Sequence, residues 1–325
     1  MKILILQTAF LGDVVIATSF LKAVKSVFPK SKIDFLVSKG NELVLKNNPD
    51  VENIFVFDKK KRKLTSFLKT LKVLKKKKYD IVFSLHSSTT SYLLIFLAKI
   101  KKRVGFSRGI LQFLLTDKIY FFKNKRRIDK NNDLLKPFTK RSFKPNSKIY
   151  PDEKDFSLVN KIGLKKKKYI CVAPGSLWQT KRWGGFEDLA KYLIDTHWQV
   201  VAVGSKKEEK LKNKGVINLI GKTSILQVAA VIKGAKALFC NDSGLMHIAN
   251  AVKTDVYAFF GPTVEEIGYF PYRSVDKIFQ VDLDCRPCGK HGHKNCPLGH
   301  HNCMKKISVK EVIKSFNQNK GEEYE

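Results

Sequence analysis

The sequence predicts an α/β protein made of two doubly wound parallel-sheet domains that face one another across a cleft. Short apolar runs alternate with segments of helical spacing, which is typical of a parallel sheet covered by helices on both faces. This alternation stops in the middle of the chain and then restarts. A length of 325 residues is too great for one ordinary core and suits two. We therefore divide the chain into residues 1–155 and residues 156–325.

The first half opens with a strand, a glycine-containing turn and a helix. The strand is Lys2–Leu6, and the helix is 14–27, where apolar residues recur at helical spacing. Further predicted strands are 33–37, 54–57 and 80–85, and further predicted helices are 64–74 and 91–100. Residues 123–148 are basic and polar and contain two prolines, so we predict a loop there and a linker at 152–168.

The second half repeats the pattern. Its predicted strands are 169–173, 200–203, 237–240 and 256–260, and its predicted helices are 183–196, 225–232, 245–251 and 309–317. Small and polar residues follow the ends of several of these strands. Because doubly wound sheets bind ligands beyond the carboxyl ends of their strands, these loops are the candidate functional segments.

The net charge of +33 is concentrated in the first half. Residues 1–150 contain 34 Lys and Arg against 10 Asp and Glu, with dense clusters at 59–63, 75–78 and 123–127. Such a field attracts nucleic acid, an anionic membrane surface or a phosphorylated substrate. The lysine runs lack interleaved aromatic residues and no nucleic-acid motif is recognisable, so we expect no nucleic-acid partner. The alternative is a lysine-rich composition without a specific partner.

The sequence predicts a cytoplasmic protein. The start of the chain has one lysine and a short apolar run that an aspartate interrupts, which is not the pattern of a secretion signal. No apolar stretch reaches the roughly 18 residues needed to span a bilayer. We therefore expect any membrane contact to be peripheral, and we expect the six cysteines to be reduced.

The turn after the first strand holds the first candidate residue. Gly12 permits a tight turn, and Asp13 falls at the mouth of the strand. A carboxylate at this place can accept a proton from an attacking hydroxyl group. The alternative is that Asp13 only caps the following helix.

Two further loops carry residues suited to a diphosphate. After the strand at 169–173 come Ser176, Thr180, Lys181 and Arg182, which offer hydroxyl groups and cations. The alternative for this loop is a solvated basic segment that caps a helix.

The second of these loops is NDSGLMH. Asp242, Ser243 and Gly244 precede a helix, and helix N-termini attract phosphates. The alternative is that Asp242 or Ser243 is only the N-cap. We include His247 among the substrate-binding candidates, although its apolar neighbours are more typical of a packed or hydrogen-bonded histidine than of a base.

The cysteine-rich segment near the end is a candidate metal centre. Cys285, Cys288, Cys296 and Cys303 have spacings that can form a tetrahedral zinc site. Four thiolates leave no open position on the metal, so a zinc ion would be structural. The alternative is a set of reduced structural thiols.

These motifs together resemble the heptosyltransferases of lipopolysaccharide core synthesis, glycosyltransferase family nine. The similar segments are the LGD turn, PGSLWQTKRW, NDSGLMHIANA, FGPT and CRPCGKHGHKNCPLGHHNCM, which follow one another along nearly the whole chain. NDSGLMH and CPLGHHNCM most resemble the second-heptose subgroup. The resemblance implies two Rossmann-like domains of the GT-B type and an inverting transfer that requires no cofactor or catalytic metal. It places the acceptor in the first half and an ADP-sugar donor in the second.

The resemblance also implies residue roles. Asp13 is similar to the family's general base, and Lys181 with Thr180 resembles a pyrophosphate-binding pair. The loop 242–244 matches the donor-phosphate loop. Glu208 resembles a ribose-binding acid, although Glu209 matches equally well. Residues 123–148 match no family motif, so no acceptor contacts are carried over there.

The implied partners are an ADP-sugar and an anionic, phosphorylated glycolipid on the inner face of the inner membrane. The alternatives are a glycosyltransferase of the same fold that uses another nucleotide sugar, and a basic protein that binds nucleic acid or an anionic membrane.

Overall fold

The computed structural model describes residues 1–58, 63–208 and 210–321. Glu209 and most of the basic cluster at 59–63 lie outside these ranges. The chain divides into two compact units, Met1–Tyr150 and Pro151–Glu325. The predicted boundary between residues 155 and 156 falls inside a helix, Glu153–Lys161, which belongs to the second unit.

The first unit is a six-stranded parallel sheet with the strand order β3-β2-β1-β4-β5-β6. Its strands are β1 (Lys2–Gln7), β2 (Lys32–Ser38), β3 (Asn53–Phe57), β4 (Ile81–Ser84), β5 (Lys102–Phe106) and β6 (Asp117–Ile119). Its helices are α1 (Leu11–Val27), α2 (Lys63–Lys77), α3 (Thr89–Leu97) and α4 (Arg127–Asp133), with short 3-10 segments at Glu42–Val44 and Ile110–Leu114.

The second unit is also a six-stranded parallel sheet, with the order β12-β11-β10-β7-β8-β9. Its strands are β7 (Tyr169–Ala173), β8 (Gln199–Ala202), β9 (Val216–Asn218), β10 (Ala237–Asn241), β11 (Asp255–Phe260) and β12 (Lys277–Gln280). Its helices are α5 (Glu153–Lys161), α6 (Phe186–Asp195), α7 (Ile225–Gly234), α8 (Gly244–Ala251), α9 (Asn302–Lys305) and α10 (Val309–Gly321), with 3-10 segments at Gln179–Lys181 and Glu265–Ile267.

Both units have the same topology. When the strands of each unit are counted from its own first strand, both orders read 3-2-1-4-5-6, the order of a Rossmann sheet. The order reverses between strands one and four, so the switch points lie between β1 and β4 and between β7 and β10. The two α/β sheets that the sequence predicts are therefore confirmed, and the switch points are where ligands of such sheets bind.

The central strands were predictable because helices cover both faces of each sheet. Residues Ile3–Leu6 of β1 and all of β7 are fully or almost fully buried, which requires a continuous apolar run rather than an alternating one. An aromatic cluster continues the core of the second unit, where the rings of Trp183 and Phe259 stack with centroids 4.0 Å apart. Among the described residues we find no helix with the length and apolar character to span a bilayer.

Two segments predicted as irregular contain helices. The predicted loop 123–148 includes α4, and the predicted linker 152–168 includes α5, which a capping box between Asp152 and Asp155 begins. Helix α4 escaped prediction because its buried face is mostly polar and includes Arg127, Lys130 and Asn131. Such a face carries no apolar periodicity, so the sequence pattern does not reveal it.

Candidate functional site

Asp13 lies at the carboxyl end of β1, within the first turn of α1. The N-cap of this helix is Phe10, so the alternative that Asp13 is the N-cap is wrong. Gly12 precedes it inside the same turn. The Asp13 residue is only 7% exposed, and a negative charge in the first turn of a helix is favoured by the helix dipole.

Arg127 of α4 forms an ion pair with Asp13. Its Nε lies 3.7 Å from Asp13 Oδ1, and both side chains are 8% exposed. One guanidinium nitrogen, Nη2, donates a hydrogen bond of 2.5 Å to the carbonyl oxygen of Leu85, which directly follows β4. The guanidinium also lies over the rings of Phe106 and Phe121, 5.5 and 5.8 Å from their centroids. The pair therefore bridges the switch point between β1 and β4.

Arg127 is not among the predicted site residues, because it falls in the segment predicted as a loop. The 3.7 Å between Arg127 Nε and Asp13 Oδ1 is too long for a hydrogen bond, so the contact is electrostatic. The aromatic faces and the backbone carbonyl fix the guanidinium in place, and its charge then holds the carboxylate at the strand end. The first unit thus presents a buried, positioned carboxylate at the place where a Rossmann sheet binds its ligand.

A second buried ion pair bridges the switch point of the second unit. Lys181 ends the 3-10 segment Gln179–Lys181 after β7, and Asp242 follows β10. Lys181 Nζ donates to Asp242 Oδ2, and the Thr263 hydroxyl after β11 donates to the same oxygen at 2.7 Å. The structure thus brings together Lys181 and Asp242, two residues that the sequence proposes separately for donor binding, and it adds Thr263, which the FGPT motif contained without an assigned role.

The loop between β7 and α6 is held by bonds to its backbone. Asn241 donates from Nδ2 to the carbonyl oxygen of Pro174 at 2.8 Å and accepts from the backbone N–H of Trp183 at 2.9 Å. Arg182 donates from Nε and Nη2 to the carbonyl oxygen of Ser176 at 3.1 and 3.0 Å. Arg182 therefore fixes the conformation of this loop, and Ser176 is buried within it. The alternative of a merely solvated basic loop is wrong for this segment.

Thr180 connects this loop to the cysteine-rich segment. Its hydroxyl donates to the carbonyl oxygen of His293 at 3.0 Å and accepts from the His293 backbone N–H at 2.7 Å. A ring nitrogen of His301 lies 2.8 Å from the Thr180 carbonyl oxygen. Thr180 is 4% exposed, so here its hydroxyl anchors residues 285–303 beside Lys181.

Glu208 lies over two glycines at the ends of β7 and β8. A Cβ atom on Gly175 would lie 1.9 Å from the Glu208 carboxyl carbon, and one on Gly204 would lie 2.1 Å from Glu208 Oε2. Ser205 Oγ donates to Oε1 at 3.0 Å. Burial raises the pKa of Glu208, and its hydrogen bonds with Ser205 lower it in part. The glycines thus make room for a carboxylate at the strand ends, where a sugar hydroxyl can donate to it.

The N-terminus of α8 lies beside the ion pair. Ser243 is the N-cap, with extended backbone angles, and Gly244 is the first helical residue. The Ser243 hydroxyl oxygen is buried and has no hydrogen-bond partner among the residues that the structure describes. The backbone N–H groups of this first turn make the strand end attractive to an anion. His247 is buried one turn further on, where its ring contacts that of Tyr269 with centroids 6.3 Å apart.

All six cysteines are free thiols. Burial raises the pKa of Cys288 and Cys303, and the neighbouring thiols raise it further. Within the described ranges, no group of three or more His, Cys, Asp and Glu side chains is arranged to hold a metal ion. A structural zinc ion at Cys285, Cys288, Cys296 and Cys303 therefore stays a prediction.

Two Rossmann-type units, each with charged residues at its switch point, are the architecture of the GT-B class of glycosyltransferases. The sequence profile of glycosyltransferase family 9 (heptosyltransferase) matches residues 67–299. The chain belongs to this family, as its motifs predict.

Curated relatives extend over most of the chain. A lipooligosaccharide heptosyltransferase 2 of Campylobacter jejuni is 28% identical, and the alignment covers 97% of this chain and 98% of the relative. Lipopolysaccharide heptosyltransferase 2 of Escherichia coli is also 28% identical, over 81% of this chain and 83% of its own length.

Solved structures share the fold. ADP-heptose lipopolysaccharide heptosyltransferase II of Escherichia coli superposes with a TM-score of 0.79 at 24% identity, covering 98% of both chains. A family 9 glycosyltransferase of Veillonella parvula gives a TM-score of 0.84 at 22% identity, over 98% of this chain and 96% of its own. At these identities the similarity confirms the GT-B fold that the sequence predicts.

Proposed function

We propose that this glycosyltransferase moves a heptose from ADP-heptose to the inner core of lipopolysaccharide, as a heptosyltransferase of the second type, with inversion at the anomeric carbon. The observation that carries the chemistry is the Lys181–Asp242 pair at the N-terminus of α8, where a cation and free helix N–H groups meet at a switch point. The choice of sugar rests on the relatives named heptosyltransferase 2, which align along most of the chain.

The second unit would bind the donor. Lys181 and the first turn of α8 stabilise the charge that grows on the diphosphate as it leaves. The Asp242 carboxylate, which itself accepts a hydrogen bond from the Thr263 hydroxyl, holds the ammonium group before the donor arrives, so little reorganisation is needed during the reaction. Glu208 accepts hydrogen bonds from the ribose hydroxyl groups of the nucleotide.

The first unit would activate the acceptor. Asp13 takes the proton from the attacking hydroxyl group, and Arg127 holds the carboxylate in position. The oxygen attacks the anomeric carbon as ADP departs from the opposite side, so a single displacement inverts its configuration. In this scheme the protein supplies a base and a cation, and the transfer requires no catalytic metal.

The acceptor we propose is a phosphorylated, anionic glycolipid, and we place the enzyme in the cytoplasm at the inner face of the inner membrane. The +24 balance of residues 1–150 supports this assignment, because a basic surface attracts both the acceptor's phosphates and anionic headgroups.

A donor panel with purified protein tests the proposal. We expect ADP release from ADP-heptose only when deacylated core acceptor is present. Asp13→Asn should lower the turnover number by about 100- to 10,000-fold and leave ADP affinity unchanged. Asp129→Asn, which changes a carboxylate paired with Arg126 on the same unit, is the matched control. Turnover with another nucleotide sugar in place of ADP-heptose would overturn the choice of substrate, and near-normal turnover by Asp13→Asn would exclude it as the base.

A further inference from the structure

Helix α3 is apolar on the face that points to solvent as well as on the face that packs into the core. Its inner residues, Tyr92 and Ile95 among them, are buried in the first unit. Its outer residues Leu93, Phe96 and Leu97 are all more than a third exposed. A helix on the surface of a globular protein normally presents polar residues outward, so this outer face needs a partner.

The segment Ile110–Leu114 packs beside α3 and extends the exposed apolar area. Ile110 is 83% exposed and Phe113 is 63% exposed. Arg103 connects the two elements, because its Nε donates to the Leu114 carbonyl oxygen at 2.8 Å while its guanidinium lies 5.6 Å from the centroid of the Phe96 ring. Five exposed side chains therefore form one surface, which we call the apolar surface: Leu93, Phe96, Leu97, Ile110 and Phe113.

Basic residues surround the apolar surface. Residues 99–118 contain six Lys and Arg and a single acidic residue, Asp117. Lys102 already pairs with that carboxylate at 2.9 Å. Lys99, Lys101 and Lys118 are exposed at the ends of the neighbouring elements. The apolar surface thus has a rim of positive charge.

We propose that the apolar surface inserts into the interfacial layer of an anionic phospholipid bilayer, with its basic rim against the headgroups. Exposed aromatic and aliphatic side chains next to Lys and Arg are the combination that holds proteins at membrane interfaces. A second copy of the chain fits less well, because pairing two such surfaces brings two positive rims together. Charge complementarity therefore selects an anionic lipid surface.

The position of the apolar surface suits the acceptor. Helix α3 begins after Ser88, beyond the carboxyl end of β4, and Gly109 lies near Ser87 just before Ile110. One end of the apolar surface is therefore at the strand ends where Asp13 also lies. This deepens the proposed function and rests on it: at Ile110 the surface that holds the bilayer reaches the sheet edge that also carries the base for a lipid-linked acceptor.

Vesicle sedimentation of the full chain tests the binding itself. The probes are phosphatidylcholine vesicles with and without phosphatidylglycerol, each at 0.1 M and 1 M NaCl. The variant Ile110→Ser with Phe113→Ser removes two exposed side chains of the apolar surface. Its matched control is Val275→Ser with Leu298→Ser, two exposed apolar side chains of the second unit. Circular dichroism verifies that both variants fold.

We expect the wild type to bind the anionic vesicles and to stay partly bound at 1 M salt, where charge attraction alone is screened. The surface variant should lose about 10- to 100-fold in partition coefficient, because two inserted side chains no longer enter the interface. The control should bind like the wild type. Equal binding by both variants, or a wild type that stays in the supernatant under all conditions, overturns the proposal. The proposal is also overturned if the wild type forms a salt-sensitive dimer that the control variant keeps and the surface variant loses. The apolar surface would then belong to an interface between two copies of the chain.

Transfer assays separate this inference from the proposed function. The surface variant should transfer sugar to soluble, deacylated acceptor at the wild-type rate and should lose at least about tenfold on acceptor embedded in anionic vesicles. A wild type that transfers heptose to neither acceptor overturns the proposed function, while the vesicle-binding comparison still decides the inference.

Discussion

Removing the ammonium group of Lys181 should destabilise the second unit before any donor is considered. In Lys181→Ala, the buried Asp242 carboxylate still accepts the hydrogen bond from the Thr263 hydroxyl but no longer has a cation beside it. Loss of one partner of a buried ion pair costs about 3–5 kcal/mol. Because the two side chains are 11% and 9% exposed, we take the lower end, about 3 kcal/mol. For a unit of this size that lowers Tm by about 6–12 °C.

Urea denaturation followed by tryptophan fluorescence measures this cost directly. The three tryptophans of the chain, at 178, 183 and 198, all lie in the second unit, so their emission reports on this unit alone. The control is Lys191→Ala, which removes a lysine from an exposed pair with Asp195 and should cost less than about 1 kcal/mol.

The double variant Lys181→Ala with Asp242→Asn separates stability from donor binding. It removes the uncompensated charge, so we expect it to regain most of the lost stability. Calorimetry should still find weakened ADP binding, because the cation for the diphosphate is absent. The reasoning fails if Lys181→Ala is no less stable than Lys191→Ala, or if the double variant unfolds as easily as the single one.

Three further predictions follow from contacts in the two sites. Arg127→Gln should lower the turnover number by about 10- to 100-fold without changing ADP affinity, since it loosens Asp13; an equal loss of ADP affinity would contradict this role. Gly175→Ala should displace the Glu208 carboxylate and raise KM for the donor, whereas Gly184→Ala, whose Cβ meets nothing within 4 Å, should not; equal KM values would refute the close approach. Because burial raises the pKa of Glu208, the carboxylate form is disfavoured in the folded state, and stability should fall as pH rises through the interval between the usual and the raised pKa. In urea denaturation at a series of pH values, Glu208→Gln should remove this dependence of the free energy of unfolding on pH. An unchanged dependence would assign the effect to another titratable group.

The sequence pattern predicted the central strands better than the edges. The predicted limits of β7 agree with the structure, because burial on both faces demands an uninterrupted apolar run. Strands β6 and β9 have three residues each and no buried position, so they leave no such run. Strands β5 and β12 also escaped prediction; both are short and include charged or partly exposed residues.

The site was predictable as far as it follows strand ends. Asp13, Lys181 and Asp242 stand in the segments that follow predicted strands, where general topology puts ligands. Arg127 and Thr263 complete the two sites from elsewhere in the fold, and no local spacing connects them to their partners. Only the folded chain brings Arg127 against a carboxylate that lies far away in the sequence.

Hydrogen bonds to its backbone carbonyl oxygens hold the loop between β7 and α6 in place. Side chains from outside the loop or from its end bind the backbone of Pro174, Ser176 and Thr180, whereas the Leu177 side chain is 71% exposed. A backbone held in this way keeps its path when an exposed side chain such as that of Leu177 is replaced. If the loop binds the donor as proposed, substitutions at its exposed positions change donor preference, and an engineer can vary position 177 without rebuilding the scaffold.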